Sequence, residues 1–211
     1  LTLLGTGATK RILLIGCGEA KKFDREAARK FSQTLYRSLE TKQATEAMLH
    51  FACLALQDKE ARWMLAYLAR HLTVASYRYT KTVSKPKESM KLRRLIININ
   101  GAMRSQTANR ALREGRAIGL GMNEARNLAN LPGNVCTPTY LAQHARKVSR
   151  NQTRMGITVL EEKKMRELGM GALLSVSAGS VQPAKLIVMH YRGAKASEKP
   201  YVLVGKGITF D

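Results

Sequence analysis

The chain has 211 residues, of which 45% are hydrophobic and 24% charged; that balance excludes a disordered tail or low-complexity linker and leaves room for one large core or two small ones. Its apolar runs, such as Leu13-Leu14-Ile15 or Ala172-Leu173-Leu174, fall far short of the roughly 20 residues a membrane span needs, so a soluble protein without membrane partners is expected. Lys and Arg number 36 against 15 Asp and Glu, a net charge of +21, which excludes an acidic protein and calls for an account of the excess.

Residues 11–15 form a short aliphatic run closed by Gly16-Cys17-Gly18, the pattern of a buried strand entering a turn. Asp24 is a fair N-cap, and Ala27, Ala28, Phe31, Leu35 and Leu39 recur at helical spacing, which predicts a helix over 24–41. Residues 47–56 are apolar except for His50 and ambiguous between strand and helix; a strand is assigned over 47–54. Trp63, Met64, Tyr67, Leu68, Leu72, Val74 and Ala75 place a second helix between 59 and 79. Lysine-rich residues 82–91, with Pro86, read as a solvated loop, and 95–99 as a strand of strong β-propensity. Strand, helix, strand, helix, strand implies a small α/β layer with crossover connections, ending near residue 102. A long helix follows over 108–130 and stops before Leu131-Pro132-Gly133. Thr137-Pro138-Thr139 opens another helix. Residues 157–160 read as a strand, 161–168 as a helix, and 172–177, 185–191 and 201–204 as further strands of a second α/β sheet that the chain does not finish.

The basic excess is spread over both halves of the chain and would attract polyanions through long-range electrostatics. It therefore supports, as an alternative to any enzymatic reading, a nucleic-acid-binding (DNA-binding) or scaffold protein. Cys17, Cys53 and Cys136 are odd in number and irregularly spaced, which fits neither a disulfide framework nor a zinc pattern and favours a reducing, cytoplasmic setting. Residues 1–9 lack the features of a signal peptide and an initiator Met, so the chain is expected to begin inside a longer protein.

Several motif candidates fail on spacing. Gly5-Thr6-Gly7-Ala8-Thr9-Lys10 has the flavour of a phosphate loop, but a Walker loop needs glycine directly before the lysine and a hydroxyl residue after it. Gly16-Cys17-Gly18 follows a strand, yet Lys21 stands where a dinucleotide fingerprint requires its third glycine. His50, His71, His144 and His190 form no metal pair and are read as structural or exposed. No cysteine is coupled by motif to a histidine.

Two stretches remain. Asn127-Leu128-Ala129-Asn130-Leu131-Pro132-Gly133-Asn134-Val135-Cys136-Thr137-Pro138 resembles the segment that opens the catalytic domain of the two-metal leucyl (cytosol) aminopeptidase family. Val204-Gly205-Lys206-Gly207-Ile208-Thr209-Phe210-Asp211 resembles that family's metal-binding strand and turn. Arg11-Ile12-Leu13-Leu14-Ile15-Gly16 resembles a strand of its N-terminal domain, so the likeness covers essentially the whole chain. It implies a fold of class α/β, with a small N-terminal α/β domain at 1–102 whose start is missing, a linker helix at 103–130, and the beginning of a second α/β, mixed-sheet catalytic domain at 131–211.

The resemblance further implies a hexameric, cytoplasmic metallo-aminopeptidase that releases N-terminal residues, leucine preferred, from peptide substrates. Two divalent cations, zinc or manganese, would be the cofactors; Lys206 would give an amine nitrogen to one and Asp211 a carboxylate between them. Together the ions would polarise the peptide carbonyl and activate a bridging water. A lysine ligates only when deprotonated, so the metal must lower its pKa. Glycines on both sides of Lys206 would let the backbone turn sharply and bring Lys206 and Asp211 to one place. Against this stands the plain reading of a lysine after a strand and an aspartate in a turn, both solvated. The remaining ligands and assisting residues of the family lie beyond the position of Asp211, so no catalytic residue is expected within this chain, which alone should bind metal weakly and hydrolyse nothing.

Overall fold

Asp24 caps the first helix, α1 (Arg25–Thr41), by accepting a 2.8 Å hydrogen bond from the Ala27 amide, as its short side chain before the apolar period predicts. Ala28, Phe31, Leu35 and Leu39 line the buried face, and the one polar residue among them, Ser32, is satisfied by donating to the Ala28 carbonyl at 2.8 Å. The computed structural model describes residues 1–5, 7, 9–51, 56, 58–86, 88, 90–101 and 103–209. Thr6 and Ala8 of the glycine–lysine loop, positions 52–54 of the expected strand with Cys53, residue 102 and the candidate ligand Asp211 lie outside the described residues.

The chain divides into two units, Leu1–Ala129 and Asn130–Asp211. In the first, β1 (Thr2–Leu4) and β2 (Arg11–Leu13) form an antiparallel hairpin, Thr2 opposite Leu13. The next strand, β3 (Glu46–His50), pairs in parallel with β4 (Arg94–Asn98), Glu46 opposite Arg94 and His50 opposite Asn98. Between them α2 (Asp58–Ala75) makes the crossover that parallel pairing requires. The expected single layer is therefore split among the described residues: β2 takes β1, a strand the residue pattern did not reveal, as its partner. Three residues in β1, two of them apolar, are too few to show a period.

The most extensive packing in this unit joins α2 to α3 (Ser105–Ala129). Ala108, Ala111, Gly115 and Gly119 are the buried residues of α3, and such a stripe lets two helix backbones approach closely. A Cβ built on Gly115 would stand 1.9 Å from the Ala66 carbonyl oxygen. Side chains of α3 also satisfy the carbonyls at the end of α2, Asn123 donating to Thr73 at 2.9 Å and Arg126 to Val74 at 3.1 Å. The core of the unit lies among α1, α2 and α3, with Phe31, Phe51, Met64, Leu65 and Leu68 at its centre.

In the second unit Thr137 caps α4 (Pro138–Ser149), accepting from the Tyr140 amide at 3.2 Å with proline in the first turn. This helix packs on the antiparallel pair β5 (Met155–Glu161) and β6 (Lys185–Tyr191), Met155 opposite Tyr191 and Glu161 opposite Lys185. A short helix, α5 (Glu162–Glu167), buries Met165.

Two expected strands do not form. Residues 172–177 belong to a helix, α6 (Gly171–Ser177), because Ala172, Leu173 and Leu174 are strong helix formers and a short apolar run carries no period to decide the matter. Residues 201–204 carry no regular structure; a strand needs a partner for its backbone groups, and none is present among the described residues.

Candidate metal centre

Lys206 lies exposed in the segment without regular structure that follows β6. The side chains leading to it are open to solvent: Tyr201, Leu203 and Val204 are at least 93% exposed, and Ile208 67%. Neither Gly205 nor Gly207 takes the left-handed conformation, and a Cβ on either would meet nothing within 4 Å. Residues 201–209 carry neither a hydrogen-bonded turn nor a bend. Since Asp211 is outside the described residues, the meeting of its carboxylate with the Lys206 amine stays an expectation.

Amine and carboxylate are suitable donors for a borderline divalent cation, but two donors cannot fill a tetrahedral or octahedral shell. Among the described residues no three of His, Cys, Asp and Glu stand together as a metal-binding group.

Upstream, Pro132 closes a turn, its carbonyl accepting from the amides of Val135 and Cys136, both at 2.9 Å. Cys136 is buried and Cys17 partly so, and burial pushes both thiols up from their ordinary value, which suits inert thiols better than nucleophiles. The histidines do not converge. His50 is exposed and 3.5 Å from the Asn98 amide nitrogen, His71 stacks on Tyr67, His144 on Tyr140, and His190 is exposed. The loop ending in Lys10 joins two antiparallel strands, not a strand and a helix, with the Gly5 amide donating to the Lys10 carbonyl at 3.1 Å; it is a hairpin turn.

One feature of the second unit was not foreseen. The Lys185 ammonium, its side chain only 9% exposed, pairs with the Glu161 carboxylate across β5 and β6. Next to it, Glu162 accepts a 2.8 Å hydrogen bond from the Ala184 amide. The signal for the pairing was available as opposite charges at the ends of two runs, but the register that sets them side by side is not encoded in either run alone.

Residues 1–86 match the model of the cytosol aminopeptidase family's N-terminal domain, and residues 123–211 match that of its catalytic domain. The chain belongs to the cytosol aminopeptidase family. Among curated relatives of this family, a probable cytosol aminopeptidase of Thioalkalivibrio sulfidiphilus is 39% identical over 96% of this chain and 41% of its own length. Another, of Nitrosococcus oceani, is 41% identical over 96% of this chain and 40% of its own. The chain thus spans about two fifths of the length of the curated relatives it matches.

Solved structures agree on the fold. A mutant of tomato leucine aminopeptidase superposes with a TM-score of 0.82 at 23% identity, covering 100% of this chain and 42% of that one. The bottromycin maturation enzyme BotP in complex with Mn gives 0.69 at 23% identity over 89% of this chain and 38% of that one. The family fold, mixed α/β, is the fold of this chain.

Proposed function

We propose that the whole protein is a metal-dependent leucyl aminopeptidase that releases N-terminal residues from peptides by two-metal activation of water, and that Lys206 and Asp211 are its first two metal ligands. The observation that carries this reading is the match to the family's catalytic domain over 123–211, which takes in both positions. The name of the tomato structure and the manganese of BotP support substrate and metal class. Zinc or manganese serves as the ion. The protein acts in the cytoplasm, consistent with the names of its relatives and with the absence, among the described residues, of a helix long and apolar enough to cross a membrane. It assembles as a hexamer. Residues 1–102 form the N-terminal domain, 103–130 a linker helix, and 131–211 the opening of the catalytic domain.

Because two donors leave a binuclear centre incomplete, the 211-residue chain by itself binds metal weakly and has no peptidase activity. Two measurements test this. Hydrolysis of leucine p-nitroanilide is expected from the polypeptide as it occurs in its source. It should be abolished by a chelator and lost, together with metal content, in Lys206→Ala and Asp211→Asn. Chelator-sensitive hydrolysis by the 211-residue chain alone, or full metal content in both variants, would overturn the assignment of these ligands.

A further inference from the structure

In the second unit α5, α6 and the turn that follows α6 line a cleft of about 510 Å³. On its wall Glu162 and Arg166, one turn apart on α5, form an ion pair at 3.2 Å. The other oxygen of Glu162 is held by the Ala184 amide at 2.8 Å, which fixes the orientation of the carboxylate. Three serine hydroxyls share the cleft, and their own hydrogen bonds set what each can offer. Ser175 donates to the Ala172 carbonyl at 2.9 Å and Ser177 to the Leu174 carbonyl at 3.1 Å, so both present only lone pairs. Ser180 instead accepts from the Gln182 amide at 3.1 Å and keeps its proton to donate. Leu174 and Ala178 supply a small apolar patch, and Gly171 leaves room in the lining: a Cβ there would meet nothing within 4 Å.

We infer that this cleft binds the zwitterion of a small free α-amino acid. A primary ammonium has three N–H bonds, and the cleft offers three acceptors for them, the Glu162 carboxylate and the Ser175 and Ser177 oxygens. A carboxylate takes donors, and the cleft offers the Arg166 guanidinium and the Ser180 hydroxyl. In an α-amino acid both charges stand on one carbon, about 3 Å apart by standard bond lengths. The Arg166–Glu162 pair presents its opposite charges at 3.2 Å, so the zwitterion can lie antiparallel across the pair without opening it. A simple anion lacks the ammonium that the two lone-pair hydroxyls and the carboxylate call for, and a peptide carries its terminal charges too far apart for the pair. No aromatic ring lines the cleft, which leaves a nucleobase without a stacking platform. The volume suits a small molecule, and because the lining is mostly polar the affinity is modest. Free amino acids are also what the proposed reaction releases, although the inference stands on the cleft alone.

The test is a titration of the nitrogen-15-labelled 211-residue chain with L-alanine, followed by amide shifts in metal-free buffer. Without metal ions no amino acid can be held at the proposed centre, so the result is independent of the peptidase reading. Shifts confined to residues 162–184 should saturate with a dissociation constant on the order of 1 mM. Acetate, which has the carboxylate alone, and methylamine, which has the ammonium alone, should each bind at least about ten-fold more weakly. Glu162→Gln keeps an acceptor for the Ala184 amide but removes the charge, and Arg166→Gln removes the other; each should cost about ten-fold in affinity. Gly171→Leu places a side chain in open space and should block the cleft while leaving the fold intact. The amide spectrum itself verifies folding, and if a charge variant is unfolded Gly171→Leu replaces it. No saturation by about 50 mM L-alanine, acetate binding as well as L-alanine, or undiminished affinity in Gly171→Leu would each overturn the proposal.

Discussion

His71 is half-buried on α2, its ring stacked on Tyr67 with centroids 6.1 Å apart. Burial first, then the guanidinium groups of Arg70 and Arg29, hold its imidazole below the ordinary value of 6.5. In the unfolded chain the ring protonates near that ordinary value; in the folded chain it resists. Its contribution to stability is therefore fully present above pH 6.5 and is lost as pH falls through that value toward the lower, folded one. Urea midpoints measured at a series of pH values should decline on the acid side, and His71→Phe, which keeps an aromatic ring on Tyr67, should flatten that part of the decline. A variant whose midpoints run parallel to the parent throughout would show that His71 is not responsible. A second residue-scale case is Arg78, which donates to the Glu40 carboxylate, to the Tyr36 hydroxyl at 3.0 Å and to the carbonyls of Ala75 and Tyr77. With side chains only 19% and 30% exposed, Arg78 and Glu40 are more desolvated than a surface pair. Arg78→Met leaves the carboxylate without its cation and should cost about 2 to 3 kcal/mol, and the double variant with Glu40→Met less than the sum of the two singles, in chemical unfolding.

Among the elements, α3 offers a test in which one substitution has opposite effects at two positions six residues apart. At Gly115 an added methyl group would meet the Ala66 backbone, so Gly115→Ala must push α2 and α3 apart and should destabilise by about 1 to 3 kcal/mol. At Gly121 nothing lies within 4 Å, and Gly121→Ala should stabilise by about 0.5 to 1 kcal/mol because alanine loses less backbone entropy in a helix. Thermal melts of the two variants check both signs; destabilisation by Gly121→Ala would mean the helix face there is covered. Elements with local signals were legible in the residues: α1 from Asp24 and its apolar period, α4 from Thr137-Pro138, β5 and β6 from their β-branched runs. Elements defined by what they pair with were not. Nothing within Thr2–Leu4 reveals that it lies against Arg11–Leu13, and the apolar run at 201–204 reads as a strand because propensity is local while pairing is not. The candidate site shows the same division. Lys206 and Asp211 are proposed as ligands from a motif alone, and the donors that would complete a metal shell are not specified by it.

At the scale of the molecule the two units differ in what they bury. The first unit encloses Phe31, Leu35, Phe51, Met64, Leu65 and Leu68, each no more than 6% exposed. The second encloses Ala142, Ala145 and Ala184 with Met165 as its large side chain, and leaves Val176, Val181, Tyr201, Leu203 and Val204 more than half exposed. Apolar burial stabilises by about 25 cal/mol per Å2, so a core built mainly of alanine gains little against the entropy of ordering its chain. Unfolding of the 211-residue chain should accordingly resolve into two steps, with the second unit the first to lose structure. Hydrogen exchange followed by mass spectrometry reads this directly. Amides of α4 and of β5 and β6 should exchange well before those of α2, and addition of zinc or manganese should leave that order unchanged, since the two proposed ligands alone are too few to gain stability from either ion. Protection of β6 equal to that of α2, or a metal-dependent rise confined to the second unit, would mean that the centre forms more completely on this chain than two ligands allow.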